Sequence, residues 1–228
     1  MGNILLIGDS YGAPRLFSSQ KVLLKETWPA IVKSELNLDG INCEYNFKTY
    51  RTFVDCAEII KNENIRYDTI VIGAGIVDIF PRTLPYMLST AQNFPMKFFR
   101  VCVRQIKGFW QKYIYWRPWK TTEDIESSIR EVLKFCCNLI VLTTPPIMKQ
   151  HASENPHCQV FIDELNIFLK CKVKFLSNNI YCIDAEKLIK DEGIDLCLDP
   201  IDSHYNVWGN VVVARSVIQM LRKIHNLA

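Results

Sequence analysis

The sequence predicts an α/β protein: one domain built on a five-stranded parallel sheet with helices on both faces. Three observations predict it. Several apolar runs are short and uninterrupted, at 4–7, 69–72 and 139–142, as strands buried on both faces are. The segments between them carry helical spacing, so strand and helix signals alternate along the chain. The length of 228 residues, with 49% hydrophobic and 22% charged side chains, suits a single globular core.

The run at 4–7 is the first strand, ended by Gly8. Trp28, Ile31, Val32 and Leu36 share one helical face, and Pro29 fits the first turn of that helix, where no amide hydrogen is needed. Residues 42–47 form the second strand and 54–60 a short helix. The third strand, at 69–72, is closed by Gly73-Ala74-Gly75. Ile125, Ile129, Val132 and Leu133 make a helical stripe behind a Thr121-Thr122 start. A fourth strand at 139–142 stops at Pro145-Pro146, residues 160–168 are helical, and 180–183 form the fifth strand. Val207, Val211, Ala214, Ile218 and Leu221 recur every three or four residues and mark the last helix. In parallel sheets ligands sit outside the carboxyl ends of the strands. Chemistry is therefore expected just after Ile7, Phe47 and Ile72.

Residues 79–122 break this rhythm. They contain no Asp or Glu, but eight Lys or Arg side chains, Arg82 among them, and eleven aromatic ones. The segment reads as a helical insertion between the third strand and the next sheet helix. A lid with its own aromatic core is the first reading. A platform on which rings stack against sugars and arginines meet acidic groups is the second. Peripheral contact with an anionic membrane surface is the third.

The composition excludes a disordered chain and a disulfide-stapled mini-domain. A net charge of +3 is too mild to imply nucleic acid. The nine cysteines include an adjacent pair, Cys136-Cys137, and no C-x-x-C, so they read as reduced core thiols rather than disulfides or a metal site. Cys136-Cys137 is expected to pack beside the fourth strand. No targeting segment or membrane span is visible, and a cytoplasmic location is expected.

Two stretches carry candidate chemistry. Gly8-Asp9-Ser10 closes the first strand and sets a serine at the carboxyl edge of the sheet. Gly8-x-Ser10-x-Gly12 also fits a nucleophile elbow, but an elbow needs several strands before its serine and only one precedes this one. Near the other end runs Asp199-Pro200-Ile201-Asp202-Ser203-His204-Tyr205-Asn206-Val207-Trp208-Gly209. A base for Ser10 needs an imidazole in reach and a carboxylate to fix its tautomer. Among the four histidines, His204 alone has two carboxylates close upstream. Asp202 is preferred as the acid because it is nearer; Asp199, or a backbone carbonyl in a serine–histidine dyad, stays open.

Together these ends resemble the SGNH (GDSL-type) hydrolase superfamily. The resemblance implies a flavodoxin-like α/β/α sandwich, with Ser10 as nucleophile and His204 as general base. The family's third block, Gly-x-Asn-Asp, reads Gly75-Ile76-Val77-Asp78 here, so Val77 stands where an asparagine normally helps bind the oxyanion. The second block offers Thr49-Tyr50-Arg51-Thr52, without the usual glycine. Oxyanion donors are expected at Ser10, Arg51 and Gly75, with Arg82 or Arg15 as replacements for the asparagine. Asp9, Asp78 and Arg82 are expected among the substrate-binding residues. Gly-Ile-Val-Asp followed by Pro-Arg is also similar to the block of SGNH-like proteins associated with bacterial polysaccharide synthesis.

The resemblance thus implies serine-dependent acyl-ester chemistry without a cofactor, first as an esterase or deacetylase on an acylated saccharide or polysaccharide precursor. An O-acetyltransferase taking acetyl groups from a soluble donor such as acetyl-CoA is the alternative enzyme. A non-catalytic glycan-binding or scaffolding protein is the alternative outside enzymes.

Overall fold

The computed structural model describes residues 2–16, 19–79, 120–149, 152 and 158–227. The insertion expected at 79–122 falls almost wholly outside them, as do Arg82, His151 and His157. Five strands, β1 (Asn3–Gly8), β2 (Asn42–Phe47), β3 (Tyr67–Gly73), β4 (Cys136–Leu142) and β5 (Ile180–Ile183), form one sheet in the order β2-β1-β3-β4-β5. Every pairing is parallel. The expected class is therefore the observed one, a flavodoxin-like α/β/α sandwich.

The helices, in chain order, are α1 (Trp28–Leu38), α2 (Phe53–Glu63), the one-turn α3 (Ile76–Ile79), α4 (Thr122–Val132), α5 (Cys158–Ile167), α6 (Ala185–Glu192), the short α7 (Ile194–Cys197) and α8 (Val207–His225). Thr52 and Thr121 start α2 and α4 with reciprocal caps, the threonine oxygen accepting the third amide while Asp55 or Asp124 accepts the threonine's own. Helix α6 was not anticipated, although Asp184 caps its start. After α5 the chain continues through a π turn (Phe168–Lys172) and a 3-10 turn (Val173–Phe175) rather than stopping. Cys136-Cys137 lies within β4 instead of beside it: Cys136 pairs with Tyr67 and is buried, while Cys137 is exposed. No disulfide joins the described cysteines.

Ile4, Leu6 and Ile7 of β1, Ile70 and Ile72 of β3, and Leu139 of β4 are wholly buried, as the unbroken apolar runs require. Burying such a side chain contributes about 1.5–3 kcal/mol. Among the described residues no helix is long and apolar enough to cross a membrane.

The chain passes from β1 outward to β2, then crosses back to β3 on the other side of β1. This reversal opens a crevice at the carboxyl ends of β1 and β3, where open α/β sheets bind ligands. Gly8 pairs with Phe47 on one side and Gly73 on the other, so the segments leaving β2, β1 and β3 emerge at one level. A Cβ on Gly8 would lie 2.1 Å from the Gly73 carbonyl oxygen, which is why only glycine fits there.

Candidate active site

The first strand delivers Ser10 directly into the crevice. Asp9 caps a single 3-10 turn (Ser10–Gly12), its carboxylate accepting from the Tyr11 amide at 3.0 Å, while the Asp9 amide donates to Gly73. Ser10 opens that turn, so its amide is outside the turn's own bonding.

The segment leading into the last helix delivers His204. Asn206 caps α8, accepting from the Gly209 amide at 3.0 Å, and its own amide donates to the Cys197 carbonyl. A Cβ on Gly209 would meet that carbonyl at 2.2 Å, so glycine lets the helix start this close to α7. Asn210 joins α8 to α1: its side-chain oxygen accepts from Trp28, and its amide group donates to the carbonyls of Tyr205 and Asn206. Sequence reasoning missed Asn210. Its only signal was a polar residue on an otherwise apolar helical face.

Between Leu198 and Tyr205, which form an antiparallel bridge, the chain makes a tight loop. Ser203 adopts the left-handed conformation (φ 61°), is buried, and accepts from the Met148 amide at 2.8 Å. That turn folds Asp202 back onto His204. The Nδ1 of His204 lies 3.1 Å from the Asp202 carbonyl oxygen and 3.2 Å from its Oδ1. Nε2 of the same ring lies 2.8 Å from the Ser10 hydroxyl oxygen. With the proton on Nδ1, Nε2 is the acceptor that the serine hydroxyl needs. The Tyr11 ring stacks on the imidazole at 4.6 Å and 17°, and the edge of Tyr205 meets Tyr11 at 5.1 Å. Burial, with Tyr205 beside it, pushes the Tyr11 hydroxyl well above its ordinary range.

Of the two candidate acids, Asp202 is the one at the ring. Asp199 faces elsewhere: it accepts from the Ser19 hydroxyl, the Gln20 amide and the Ile201 amide at 2.7, 3.1 and 2.9 Å. Burial alone would raise its carboxyl. Those three bonds and the Arg15 charge outweigh it and hold the carboxyl below the ordinary 3.8.

Asp9 and Asp78, expected to bind substrate, are buried beneath the crevice. Both oxygens of Asp78 accept from the Phe53 amide at 3.0 Å, tying α3 to the start of α2, and burial pushes its carboxyl well above the usual range. Each accepts from a backbone amide. Arg51 sits between β2 and α2, after Tyr50 in the left-handed region (φ 63°). Its guanidinium donates to the carbonyl and side-chain oxygens of Asn46 and is thereby committed to that loop. Gly75 (φ 135°) ends the segment leaving β3, and its carbonyl accepts from Asp78 and Ile79. Val77 is buried in the core. Arg15, an expected stand-in for the missing asparagine, instead forms an ion pair with Oδ2 of Asp202.

A pocket lies at the carboxyl ends of β1, β3 and β4, lined by Asp9, Tyr11, Ala74, Thr144, Pro145 and Tyr205 among others. The site thus has the composition of a serine–histidine–aspartate triad at a sheet edge.

No protein-family model matches the sequence, and a search of curated proteins returns no match. Solved structures do match. A lipase/acylhydrolase from Enterococcus faecalis is 18% identical, with a TM-score of 0.64 over 98% of this chain and 96% of that one. A lipolytic protein of the G-D-S-L family from Veillonella parvula is 12% identical, TM-score 0.58, over 97% and 98%. A catalytic mutant of an acetylxylan esterase from Geobacillus stearothermophilus is 19% identical, TM-score 0.57, over 98% and 94%. The chain has the fold of the GDSL-type hydrolases.

Proposed function

We propose that the protein is a serine esterase that removes acyl groups, acetyl first among them, from an acylated carbohydrate. The observation that carries the reading is the 2.8 Å contact of Ser10 with His204 Nε2 while Asp202 occupies the other ring nitrogen. In this reading His204 takes the hydroxyl proton as Ser10 attacks the ester carbonyl. The tetrahedral oxyanion is held by amides at the crevice: that of Ser10, with Gly75 and Arg51 on the flanking segments. His204 then returns the proton to the departing alcohol, and water resolves the acyl-enzyme by the same steps.

Val77 leaves the oxyanion without the family's side-chain donor. Losing one such donor typically costs about 2.7–4 kcal/mol of barrier. The enzyme is therefore slow on unactivated esters unless substrate contacts offset the loss. The acetylxylan esterase among the structural neighbours supports a saccharide substrate.

Turnover of p-nitrophenyl acetate by the wild type and by Ser10→Ala tests this. Wild-type turnover that vanishes in Ser10→Ala is the expected result; equal background rates in both overturn the esterase. Acetate release from an acetylated oligosaccharide, run with and without acetyl-CoA and an unacetylated acceptor, then decides the class. Acetylation of the acceptor only when acetyl-CoA is present assigns a transferase instead.

A further inference from the structure

The segment before α1 turns back on itself at a bridge between Arg15 and Val22, whose amides and carbonyls bond at 2.8 and 3.0 Å. One side of it reaches the loop carrying Asp202 and His204 at two points. Ser19 and Gln20 donate to Asp199, and Arg15 pairs with Asp202.

The second contact matters because the acid is unusually close in sequence to its base. Only Ser203 separates them, so Asp202 offers His204 two acceptors at nearly equal distance: its neutral carbonyl oxygen and its charged Oδ1. Oδ1 also accepts from the backbone amide of His204 at 3.1 Å. The carboxylate stabilises the imidazolium formed during catalysis far better than the carbonyl does. Which acceptor faces the ring depends on the side-chain torsions of Asp202, whose carboxylate is about one-third exposed. Arg15 engages Oδ2 and leaves Oδ1 on the ring.

We propose that Arg15 is a positioning residue that locks the Asp202 carboxylate onto Nδ1 of His204, compensating for the short Asp-x-His spacing. It acts through Asp202 and does not touch substrate. The proposal rests on the esterase reading for its effect on rate, but not for its effect on the ring.

The test uses the full chain as wild type, Arg15→Met, Asp202→Asn and the double variant. Two readouts are taken: kcat and KM for p-nitrophenyl acetate, and the low-field NMR resonance of the His204 Nδ1 proton. Arg15→Met is expected to lower kcat about 10–100-fold with KM unchanged, the usual effect of a supporting residue behind a catalytic group. The double variant is expected to be no slower than Asp202→Asn, because both remove the same contact. Arg15→Lys, which keeps the charge without the planar fork, is expected to lose less. It also substitutes for Arg15→Met should that variant not fold. The Nδ1 resonance is expected to move upfield in Arg15→Met and Asp202→Asn alike. A raised KM at constant kcat would make Arg15 a substrate contact and overturn the proposal, as would multiplicative losses in the double variant. If the wild type and Ser10→Ala turn over equally, the esterase reading has failed, and the NMR readout decides alone. An unmoved Nδ1 resonance in Arg15→Met then sinks the assignment, and a shifted one keeps it.

Discussion

At His204 the ring is held on three sides. Asp202 takes Nδ1, Ser10 meets Nε2, and Tyr11 covers a face. The serine's own neighbour in sequence thus steadies the imidazole. Replacing Tyr11 by Leu keeps the site apolar but removes the stack. Aromatic pairs of this kind contribute about 0.5–1.5 kcal/mol beyond burial, so a fall in kcat of up to about tenfold is expected. Steady-state kinetics beside a thermal melt separate this from loss of fold. Val77 gives a second residue-scale expectation. Restoring asparagine there places an amide in the buried core, and Val77→Asn should lose about 1–3 kcal/mol by urea denaturation. Ser10 and His204 were legible because a strand end and an acid-rich turn before a helix each carry a local signature. Asp202 was preferred over Asp199 by nearness to His204 alone, and what fixes the choice was not legible. It depends on Ser203 entering the left-handed region and on what Asp199 meets across 180 residues of sequence, and neither leaves a spacing signal.

At the scale of elements, the short segment around Arg15 and Val22 and the loop from Asp199 to His204 form one latch. Asp199 fastens it from the far side. Because its folded carboxyl lies below the unfolded value of 3.8, the ionised form stabilises the folded state above that pH. The contribution is lost as pH falls through the folded value. Urea midpoints measured from pH 6 downward should therefore drop below about pH 4, and Asp199→Asn should flatten that part of the curve while lowering stability at neutral pH by about 1–3 kcal/mol. Four of the five strands were readable as elements since each holds a short apolar run, which β2 (Asn42–Phe47) lacks. Helix α6 escaped because its polar face dominates an eight-residue stretch, although Asp184 and the buried Ile189 mark its start and inner side.

Across the whole molecule, the order of strands was beyond periodicity, which says what is buried and not what lies beside it. The similarity of the two chain ends to a known family supplied the flavodoxin-like class, and the structure supplied the order. The buried polar bonds behind β4 were equally hidden. Asn166 exchanges two bonds with the Thr144 backbone and reaches Glu186, which in turn meets Lys170 and Lys190. Such a network holds the segment leaving β4 in place, and with it the Met148 amide that supports Ser203.

Ser10 and His204, 2.8 Å apart in the fold, stand 194 residues apart in sequence. On the ribosome, Ser10 emerges 194 residues ahead of His204 and waits through all of that synthesis before His204 leaves the exit tunnel. Throughout that interval the hydroxyl has no base and is an ordinary serine. In the proposed esterase reading the nascent chain therefore cannot attack esters around it, and the onset of hydrolysis would mark the docking of the last helix.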